Sequence, residues 1–299
     1  MELRHLKYFQ AVASTLNFSR AAEQLHIAQP PLSRQIQQLE DELGVKLLER
    51  GTRPMKLTKA GQFFYDQTVQ VLSRLREIEK ATKRIAGGNT EWMGVGFVPS
   101  TLYGPLPNVL RAFAAENERR DVTLLELTSI QQAQALKSGR IDVGFGRLAI
   151  HSEGLENVVL MQEPMVVALP SHSPLVHEAR ISLERIAGET LLLYPATPRP
   201  SYADEVLRQF TTRGYELART FEVNGLQTAI GLVAAGMGVT IVPSSVQRLH
   251  RDDIAYRPLA EEELSSTLIM TVRAGDSSPL LQRFRQMIDA ELAIWSTGG

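Results

Sequence analysis

The chain has 299 residues, no cysteine and a net charge of −1, with 43% hydrophobic and 22% charged residues. This composition is typical of a soluble globular protein, and the length accommodates two or three domains. The lack of cysteine excludes disulfides, thiolate metal sites and a cysteine nucleophile. No apolar run approaches the roughly 20 residues of a membrane span, and the start, MELRHLKYFQ, has no apolar signal core, so we expect a cytoplasmic protein without a membrane partner.

The charge is distributed unevenly along the chain. Residues 1–86 contain 14 lysines and arginines against 9 acidic residues, a net charge of +5, whereas the remainder has 18 against 24, a net charge of −6. A basic segment can contact phosphate groups, but +5 is modest. One copy would therefore bind nucleic acid weakly, and two or more copies on one DNA would add their contacts.

The first 43 residues have the spacing of three helices. A leading helix and a second helix, for which Ser19 is a candidate N-cap, show apolar residues at three- or four-residue spacing. The third helix opens with Gln29-Pro30-Pro31, a position where the missing N–H of proline has little effect. Its predicted buried face consists of Leu32, Ile36, Leu39 and Leu43.

The opposite face of the third helix is polar and suits the base edges of a major groove. It carries Gln29, Ser33, Arg34, Gln37 and Gln38. Residues 45–50 and 55–58 predict two short strands joined by a turn with Arg53 at its tip, from which a basic side chain can enter a minor groove or hold phosphate. A generic helical hairpin would share the helix pattern, but the leading helix and the strands favour a winged helix-turn-helix.

A long helix is predicted from Lys59 to about Ile85, which at ~1.5 Å per residue spans about 40 Å. Its heptad seam consists of Phe64, Thr68, Val71, Leu75, Ile78, Thr82 and Ile85. A solitary helix would leave this seam exposed, so we expect a partner helix that pairs two heads on one duplex. The alternative is a helix that packs on its own chain. Residues 87–90, which begin Gly-Gly, end the helix and form a hinge.

Beyond the hinge, short apolar strands alternate with helices, which predicts parallel, helix-covered sheets in two subdomains around a cleft. The strands are expected at residues 93–98, 122–126, 142–145, 165–169, 191–194, 239–242 and 268–272. The helices are expected to include residues 107–115, 131–137, 202–212, 226–235 and 279–295.

Taken together, these features resemble a LysR-type transcriptional regulator over the whole chain. The resemblance is most specific in AAEQLHIAQPPLSRQIQQLEDELGVKLLER, followed by the wing and LTKAG. The second half adds GFVPS, ALKSGRIDVGFGRL, LLYPATPRPSYADEV and GLVAAGMGVTIVPSS. These segments are most similar to the subgroup that senses muconate, chloromuconate or benzoate-type compounds and controls catechol-branch degradation.

The resemblance implies a multidomain fold: an all-α winged helix-turn-helix head, a long linker helix, and an α/β effector domain like a periplasmic binding protein, with two Rossmann-like subdomains. The boundaries are expected at residues 1–58 for the head, 59–88 for the linker helix and hinge, 89–164 with 268–299 for subdomain I, and 165–267 for subdomain II. A tetramer built from dimers, promoter DNA and RNA polymerase are the implied macromolecular partners. The expected DNA contacts are Gln29, Pro30, Pro31, Ser33 and Arg34 in the major groove, supported by Arg50 and Arg53.

Hydroxyl-bearing segments stand where predicted strands turn into helices, and the free N–H groups and partial positive charge of a helix start favour a carboxylate there. They are Ser100-Thr101, Thr128-Ser129 and Pro200-Ser201-Tyr202. Each segment taken alone is more typical of an ordinary helix cap than of a ligand site. By the resemblance, the effector site corresponds to Ser100, Ser129, Pro200 and Tyr202, with Ser129 and Tyr202 in place of the subgroup's Thr and Phe.

Arg147, at the end of GFGR, is expected either to balance the charge of a bound anion or to form a structural ion pair with Glu163. Benzoate-responsive members carry an arginine in a second, apolar pocket, where Met161 stands here, so we expect one principal effector site per subunit. There is no GxSxG, P-loop or HExxH, and the GxG at Gly94 does not continue as a nucleotide fingerprint. We therefore expect no cofactor and no enzymatic activity.

The sequence thus predicts a transcriptional activator, and by resemblance an autorepressor, of an aromatic degradation operon. Its effector would be a small dicarboxylate such as cis,cis-muconate or a chloromuconate, which closes the cleft and changes the spacing of the heads. Two alternatives stay open at this point. A small-acid solute-binding protein would leave the basic head unexplained and need an export signal, and an aromatic-acid enzyme would use the head only for assembly.

Overall fold

The computed structural model describes residues 1–49, 55–86, 91–116 and 120–297. Contacts divide the chain into two compact units, Met1–Lys83 and Arg84–Gly299, which are described separately. Within the described residues, no helix combines the length and the apolar character required to cross a membrane.

The first unit begins with three helices, α1 (Leu3–Thr15), α2 (Phe18–Gln24) and α3 (Gln29–Leu43). The predicted apolar face of α3 is confirmed at Leu32, Ile36 and Leu39, which are buried, but not at Leu43, which is exposed at the last turn of the helix. Pro30 and Pro31 lie in the first turn of α3, and Gly44 ends it with a left-handed backbone (φ 69°).

The predicted N-cap of α2 is wrong. Asn17 is the cap, because its side-chain oxygen accepts the backbone N–H groups of Ser19 (2.9 Å) and Arg20 (3.1 Å). Ser19 already lies inside the helix. Both residue types are favoured caps, so composition alone does not choose between positions two residues apart.

The wing consists of β1 (Leu48–Glu49) and β2 (Lys56–Leu57), paired antiparallel. The buried carboxylate of Glu40 on α3 fixes the approach to this wing, since one oxygen accepts the N–H groups of Leu47 (2.9 Å) and Leu48 (3.2 Å). After β2, the Thr58 hydroxyl donates to the carbonyl of Lys46 (2.8 Å) and accepts the N–H of Gly61 (2.9 Å). Thr58 therefore caps the next helix and connects it to the segment that precedes β1.

The long helix α4 (Lys59–Ala86) uses its seam in two ways. Near its start, Phe64 packs edge-to-face on Phe9 of α1, with ring centroids 5.2 Å apart, and Thr68 is buried. Further along, Val71, Leu75 and Ile78 are 47%, 39% and 50% exposed. The first part of this helix thus packs on its own head, as the alternative interpretation expected, and the partner helix for the exposed apolar residues stays a prediction.

The second unit contains a seven-stranded sheet in the order β10-β6-β11-β5-β3-β4, with β9 also paired to β6. A separate parallel pair is formed by β7 and β8. The strands are β3 (Glu91–Phe97), β4 (Arg120–Glu126), β5 (Val143–Gly146), β6 (Leu155–Pro170), β7 (Thr190–Leu193), β8 (Arg219–Glu222), β9 (Thr240–Pro243), β10 (Ile254–Pro258) and β11 (Ser265–Arg273).

The predicted parallel arrangement holds for only part of the sheet. β3 runs parallel to β4 and β5, but β11 is antiparallel to both β5 and β6. The long strand β6 also extends ten residues before its predicted start and joins the two subdomains. The effector unit is therefore a mixed sheet that both subdomains share through β6 and the returning β11.

Helices cover the sheets of both subdomains. They are α5 (Leu106–Ala115), α6 (Ser129–Lys137), α7 (Leu183–Ala187), α8 (Tyr202–Thr211), α9 (Leu226–Ala234) and α10 (Pro279–Thr297). On α10, Phe284 packs edge-to-face on Phe113 of α5, with centroids 4.8 Å apart. The last helix therefore packs on α5, which follows the first strand of the effector unit.

Candidate functional site

A cavity of about 290 Å³ lies in the effector unit where the two subdomains meet. Its walls come from the end of β3, the start of α6, the segment from Tyr194 to Tyr202, and the start of α9. The lining residues are Val98, Pro99, Ser100, Glu126, Leu127, Thr128, Ser129, Gln131, Arg147, Leu148, Tyr194, Pro195, Thr197, Pro200, Ser201, Tyr202, Asn224, Gly225 and Leu226. The volume is near the lower end for small-molecule sites, so a small organic acid fits.

Three helices, α6, α8 and α9, begin at the wall of this cavity. The Thr128 side chain caps α6, Ser201 caps α8, and Gly225 occupies the cap position of α9. The free N–H groups at helix starts carry partial positive charge, which attracts anions. In α8 this charge is partly offset by Asp204 and Glu205 in the first turn, whereas α6 and α9 have no acidic residue there. The starts of α6 and α9 therefore offer the stronger attraction.

Asp204 stabilises the start of α8 as an ionised carboxylate. Burial alone would raise the pKa of Asp204, but hydrogen bonds from the backbone N–H of Ser201 and from Arg199 lower it below its usual value. The Ser201 N–H lies 2.6 Å from the carboxylate, and the Arg199 guanidinium lies 2.7 Å from it. The turn before α8 is thus fixed by its own side chains.

A buried ion pair lies at the inner end of the cavity. Arg147 Nη1 donates to Glu163 Oε2 at 2.6 Å, and Arg147 Nε donates to the Ser100 hydroxyl at 3.3 Å. The other oxygen of Glu163 accepts the N–H of Ser245 at 2.5 Å. The predicted pairing of Arg147 with Glu163 is confirmed. Nη2 of Arg147 is buried and makes no hydrogen bond within the residues that the structure describes.

Two tyrosines complete the inner wall. Tyr194 and Tyr202 have ring centroids 5.5 Å apart and are only 7% and 8% exposed. Burial raises the pKa of both hydroxyls well above the usual value of tyrosine. Both side chains are therefore neutral and able to donate a hydrogen bond.

The structure brings six of the seven predicted effector residues to one cavity: Ser100, Ser129, Arg147, Pro200, Ser201 and Tyr202. Thr101 does not line it, because its buried hydroxyl donates to the carbonyl of Val98 at 2.8 Å. The Ser201 hydroxyl also has a protein partner, the carbonyl of Pro195 at 2.9 Å. The role of each residue in ligand binding stays a prediction.

An apolar and nearly closed cavity lies beside Leu160, the neighbour of Met161 in β6. A cavity of about 10 Å³ is lined there by Pro105, Leu106, Val109, Phe145, Leu160, Leu268, Ile288 and Leu292. Met161, paired with Leu268 across β6 and β11, contributes no charge. A volume about that of one water leaves no room for an aromatic acid in this cavity, and one principal effector site per subunit stays a prediction.

In the first unit, α3 exposes the predicted DNA-reading residues. Gln29, Pro30 and Arg34 are exposed, and Pro31 and Ser33 are half-buried. The other two predicted DNA contacts, Arg50 and Arg53, lie outside the described residues. The polar face of α3 is thus available to a major groove, since its apolar face is used by the core.

Comparison with known proteins identifies the family. Residues 3–62 match the bacterial regulatory helix-turn-helix protein of the lysR family, and residues 87–293 match the LysR substrate binding domain. The chain belongs to the LysR family. It is 51% identical to the HTH-type transcriptional regulator CatR of Pseudomonas putida over 288 residues. This alignment covers 96% of this chain and 98% of CatR.

Two solved structures extend the likeness of this LysR-family chain. Full-length CbnR complexed with its target DNA is 33% identical to this chain, with a TM-score of 0.75. The match covers 97% of this chain and 100% of the CbnR chain. The BenM effector binding domain with its effector benzoate is 31% identical to this chain, with a TM-score of 0.65. The match covers 70% of this chain and 96% of the BenM domain.

The family assignment confirms the prediction of a winged helix-turn-helix head joined to an effector domain. This LysR-type protein is a DNA-binding transcriptional regulator and not an enzyme. The two alternatives considered from the sequence were a solute-binding protein and an enzyme. Neither accounts for a chain in which both halves match domains of this regulator family.

Sequence reasoning missed two parts of the site of this LysR-type regulator. Tyr194 was taken only as the last residue of an apolar strand, yet it lines the cavity. The start of α9 was not considered either, although Gly225 before an apolar helix is a recognisable cap signal. Both belong to subdomain II, whose contribution to the cavity depends on long-range folding.

Proposed function

We propose that this LysR-type regulator activates an operon for the degradation of aromatic compounds when it binds a small dicarboxylate such as cis,cis-muconate or a chloromuconate. One observation carries the proposal: three helix starts and the Arg147 guanidinium converge on a single cavity of about 290 Å³. The benzoate described as the effector of BenM supports a carboxylate ligand.

A thermal-shift screen of the full-length protein tests the ligand class. At a hundred times its dissociation constant, a ligand stabilises its site by about 2.7 kcal/mol. We expect muconate and chloromuconates to raise the melting temperature of the effector unit and benzoate to do so less. Failure of every dicarboxylate to shift the melting curve would overturn the ligand class while leaving the family intact.

Ser129→Ala tests one wall of the cavity. Ser129 is the first residue of α6, and a hydrogen bond to a charged ligand contributes about 1.5–3 kcal/mol. We expect weaker muconate binding by calorimetry, with unchanged DNA affinity in the absence of effector. Ser138→Ala is the matched control, because its hydroxyl bonds the Ala135 carbonyl at the other end of the same helix. Equal muconate affinity of the Ser129 variant and the wild type would remove Ser129 from the site.

On the DNA side, we propose that Gln29, Pro30, Pro31, Ser33 and Arg34 face the major groove, with Arg50 and Arg53 on the backbone or in the minor groove. The exposure of the polar face of α3 supports the first group. The CbnR complex with target DNA supports the general mode of binding.

Arg34→Ala is expected to weaken specific operator binding by about 1–3 kcal/mol, because a bidentate arginine contact to a base contributes this much discrimination. Fluorescence anisotropy at fixed salt measures the change. Arg251→Ala, which removes an exposed arginine paired with Asp253 in the effector unit, is the control. An Arg34 variant that binds the operator as tightly as the wild type would reject the base-reading role.

We further propose that the active form is a tetramer in the cytoplasm, assembled as a dimer of dimers. The exposed apolar residues Val71, Leu75 and Ile78 on α4 support a helix-to-helix contact between copies. Effector binding closes the cleft, shifts the spacing of the heads, relaxes the DNA bend and admits RNA polymerase. Such a shift is limited by the difference in ligand affinity between the two states.

A further inference from the structure

The effector unit contains two large hydrophobic cores, and the chain crosses between them twice. Helix α10 packs in the first core with β3, β5 and α5, through residues such as Leu281 and Phe284. The 3₁₀ helix Ser244–Arg248, which follows β9, packs in the second core through Val246. Strand β6 contributes to both cores, as does the segment from Leu264 into β11. A change in the angle between the cores would therefore bend these two crossings.

The apolar stripe of α10 continues past its own core. Its members recur at steps of three and four: Leu281, Phe284, Ile288, Leu292 and Trp295. The stripe packs in the first core as far as Leu292, but the ring of Trp295 lies under the guanidinium of Arg248, with Cζ 3.8 Å from the ring centroid. Arg248 ends the 3₁₀ helix of the second core. The last turn of α10 thus makes a cation–π contact across the boundary between the two cores.

The first turn of the same 3₁₀ helix is held by the wall of the effector cavity. The backbone N–H of Ser245 donates to one oxygen of Glu163 at 2.5 Å, and the other oxygen accepts from Arg147 at 2.6 Å. All three residues are buried, and Arg147 lines the cavity. One short element therefore connects the cavity wall with α10. A displacement of Ser245 is expected to move Arg248, which is only three residues further along.

The stacking of Arg248 on Trp295 lies beside the two crossings. Leu292, one turn before Trp295, lines the same small apolar cavity as Leu160 of β6 and Leu268 of β11. Bending of these strands changes the distance between α10 and the 3₁₀ helix, because each packs in a different core. An arginine is attracted to an indole ring only within about 6 Å of the ring centroid. The strength of this contact therefore depends on the arrangement of the subdomains.

We propose that Arg248 and Trp295 form a latch that holds the two subdomains in the arrangement described here, and that closure over the effector opens it. The latch sets how much effector is needed, since the ligand has to supply the free energy of breaking the contact. The inference rests on the proposed function, in which a small acid closes the cleft. It adds regulation by two residues that do not line the cavity.

Calorimetry of the full-length protein with cis,cis-muconate tests the latch. Arg248→Gln removes the cation, and Trp295→Leu removes the aromatic face but keeps an apolar side chain. We expect each variant to bind muconate about two- to fivefold more tightly than the wild type, the factor that corresponds to an exposed cation–π contact. The double variant should bind no more tightly than either single variant, because one contact can be lost only once. Arg251→Gln, which removes an exposed arginine paired with Asp253, is the matched control and should bind muconate like the wild type.

Trp295 also reports the latch directly by its fluorescence. The chain has two tryptophans, so in a Trp92→Phe background the indole emission comes from Trp295 alone. Without ligand, Arg248→Gln should shift this emission to longer wavelength, because the half-buried indole gains contact with water. Saturating muconate should produce the same shift in the protein that keeps Arg248 and no further shift in the Arg248→Gln variant.

Any of three results would reject the latch and leave the proposed function standing. Constant Trp295 emission at saturating muconate would show that the contact stays closed in the bound protein. Muconate affinity that is unchanged or lower in both single variants would show that the contact does not oppose closure. Effects that add in the double variant would show two independent roles instead of one shared contact. A wild-type protein that binds no dicarboxylate would overturn the proposed function together with this inference.

Discussion

Gly61→Ala is expected to destabilise the DNA-binding head by about 3 kcal/mol and to abolish operator binding. A Cβ atom at residue 61 would lie 1.9 Å from the carbonyl oxygen and 2.8 Å from the carbonyl carbon of Leu47. Both atoms belong to the backbone and cannot turn aside. The Leu47 N–H is held by Glu40 at 2.9 Å, and its carbonyl accepts the N–H of Thr58 at 3.0 Å, so this segment has no room to move.

The matched control is Gly231→Ala, another glycine inside a helix. A Cβ at residue 231 meets no atom within 4 Å, so alanine there should stabilise α9 by up to about 1 kcal/mol. Chemical denaturation followed by circular dichroism would measure both changes, and anisotropy would measure operator binding. Muconate binding by the Gly61 variant should persist, because the affected contact lies in the first unit. An operator affinity equal to that of the wild type would contradict the predicted clash.

The helices of the head were predictable because their signals are local. The spacing of Leu32, Ile36 and Leu39 sets the buried face of α3, and the prolines mark its start whatever the rest of the chain does. The clash at Gly61 has no such signal, since it depends on a carbonyl fourteen residues earlier in the chain. Whether Asn17 or Ser19 caps α2 likewise depends on where the preceding turn places the chain.

The effector unit was predicted less completely because its pairing is long-range. The first half of β6 carries Glu156, Asn157, Gln162 and Glu163 and lacks the continuous apolar run of a buried strand, so no strand was expected there. β8 is exposed throughout, which also removes the apolar signal. Pairing of β11 between β5 and β6 joins segments more than 100 residues apart. Local patterns therefore located the hydroxyls at helix starts but not Tyr194.

Arg147→Met is expected to destabilise the effector unit by about 3–5 kcal/mol, the usual effect of breaking a buried ion pair on one side. The substitution leaves the Glu163 carboxylate buried without its cationic partner, while the N–H of Ser245 still donates to it. The destabilisation comes mainly from this unpaired charge rather than from lost attraction. A second substitution that removes the charge should therefore restore most of the stability.

The double variant Arg147→Met and Glu163→Gln tests this reasoning, because glutamine keeps an oxygen for the Ser245 N–H and carries no charge. We expect its denaturation midpoint to lie close to that of the wild type, well above that of the single variant. Arg251→Ala, which breaks an exposed pair with Asp253, should change stability by less than about 1 kcal/mol. If the double variant is as unstable as Arg147→Met, the loss of stability comes from lost packing of the arginine side chain rather than from the unpaired charge of Glu163. If it is stable but no longer binds muconate, the guanidinium serves the ligand and is dispensable for the fold.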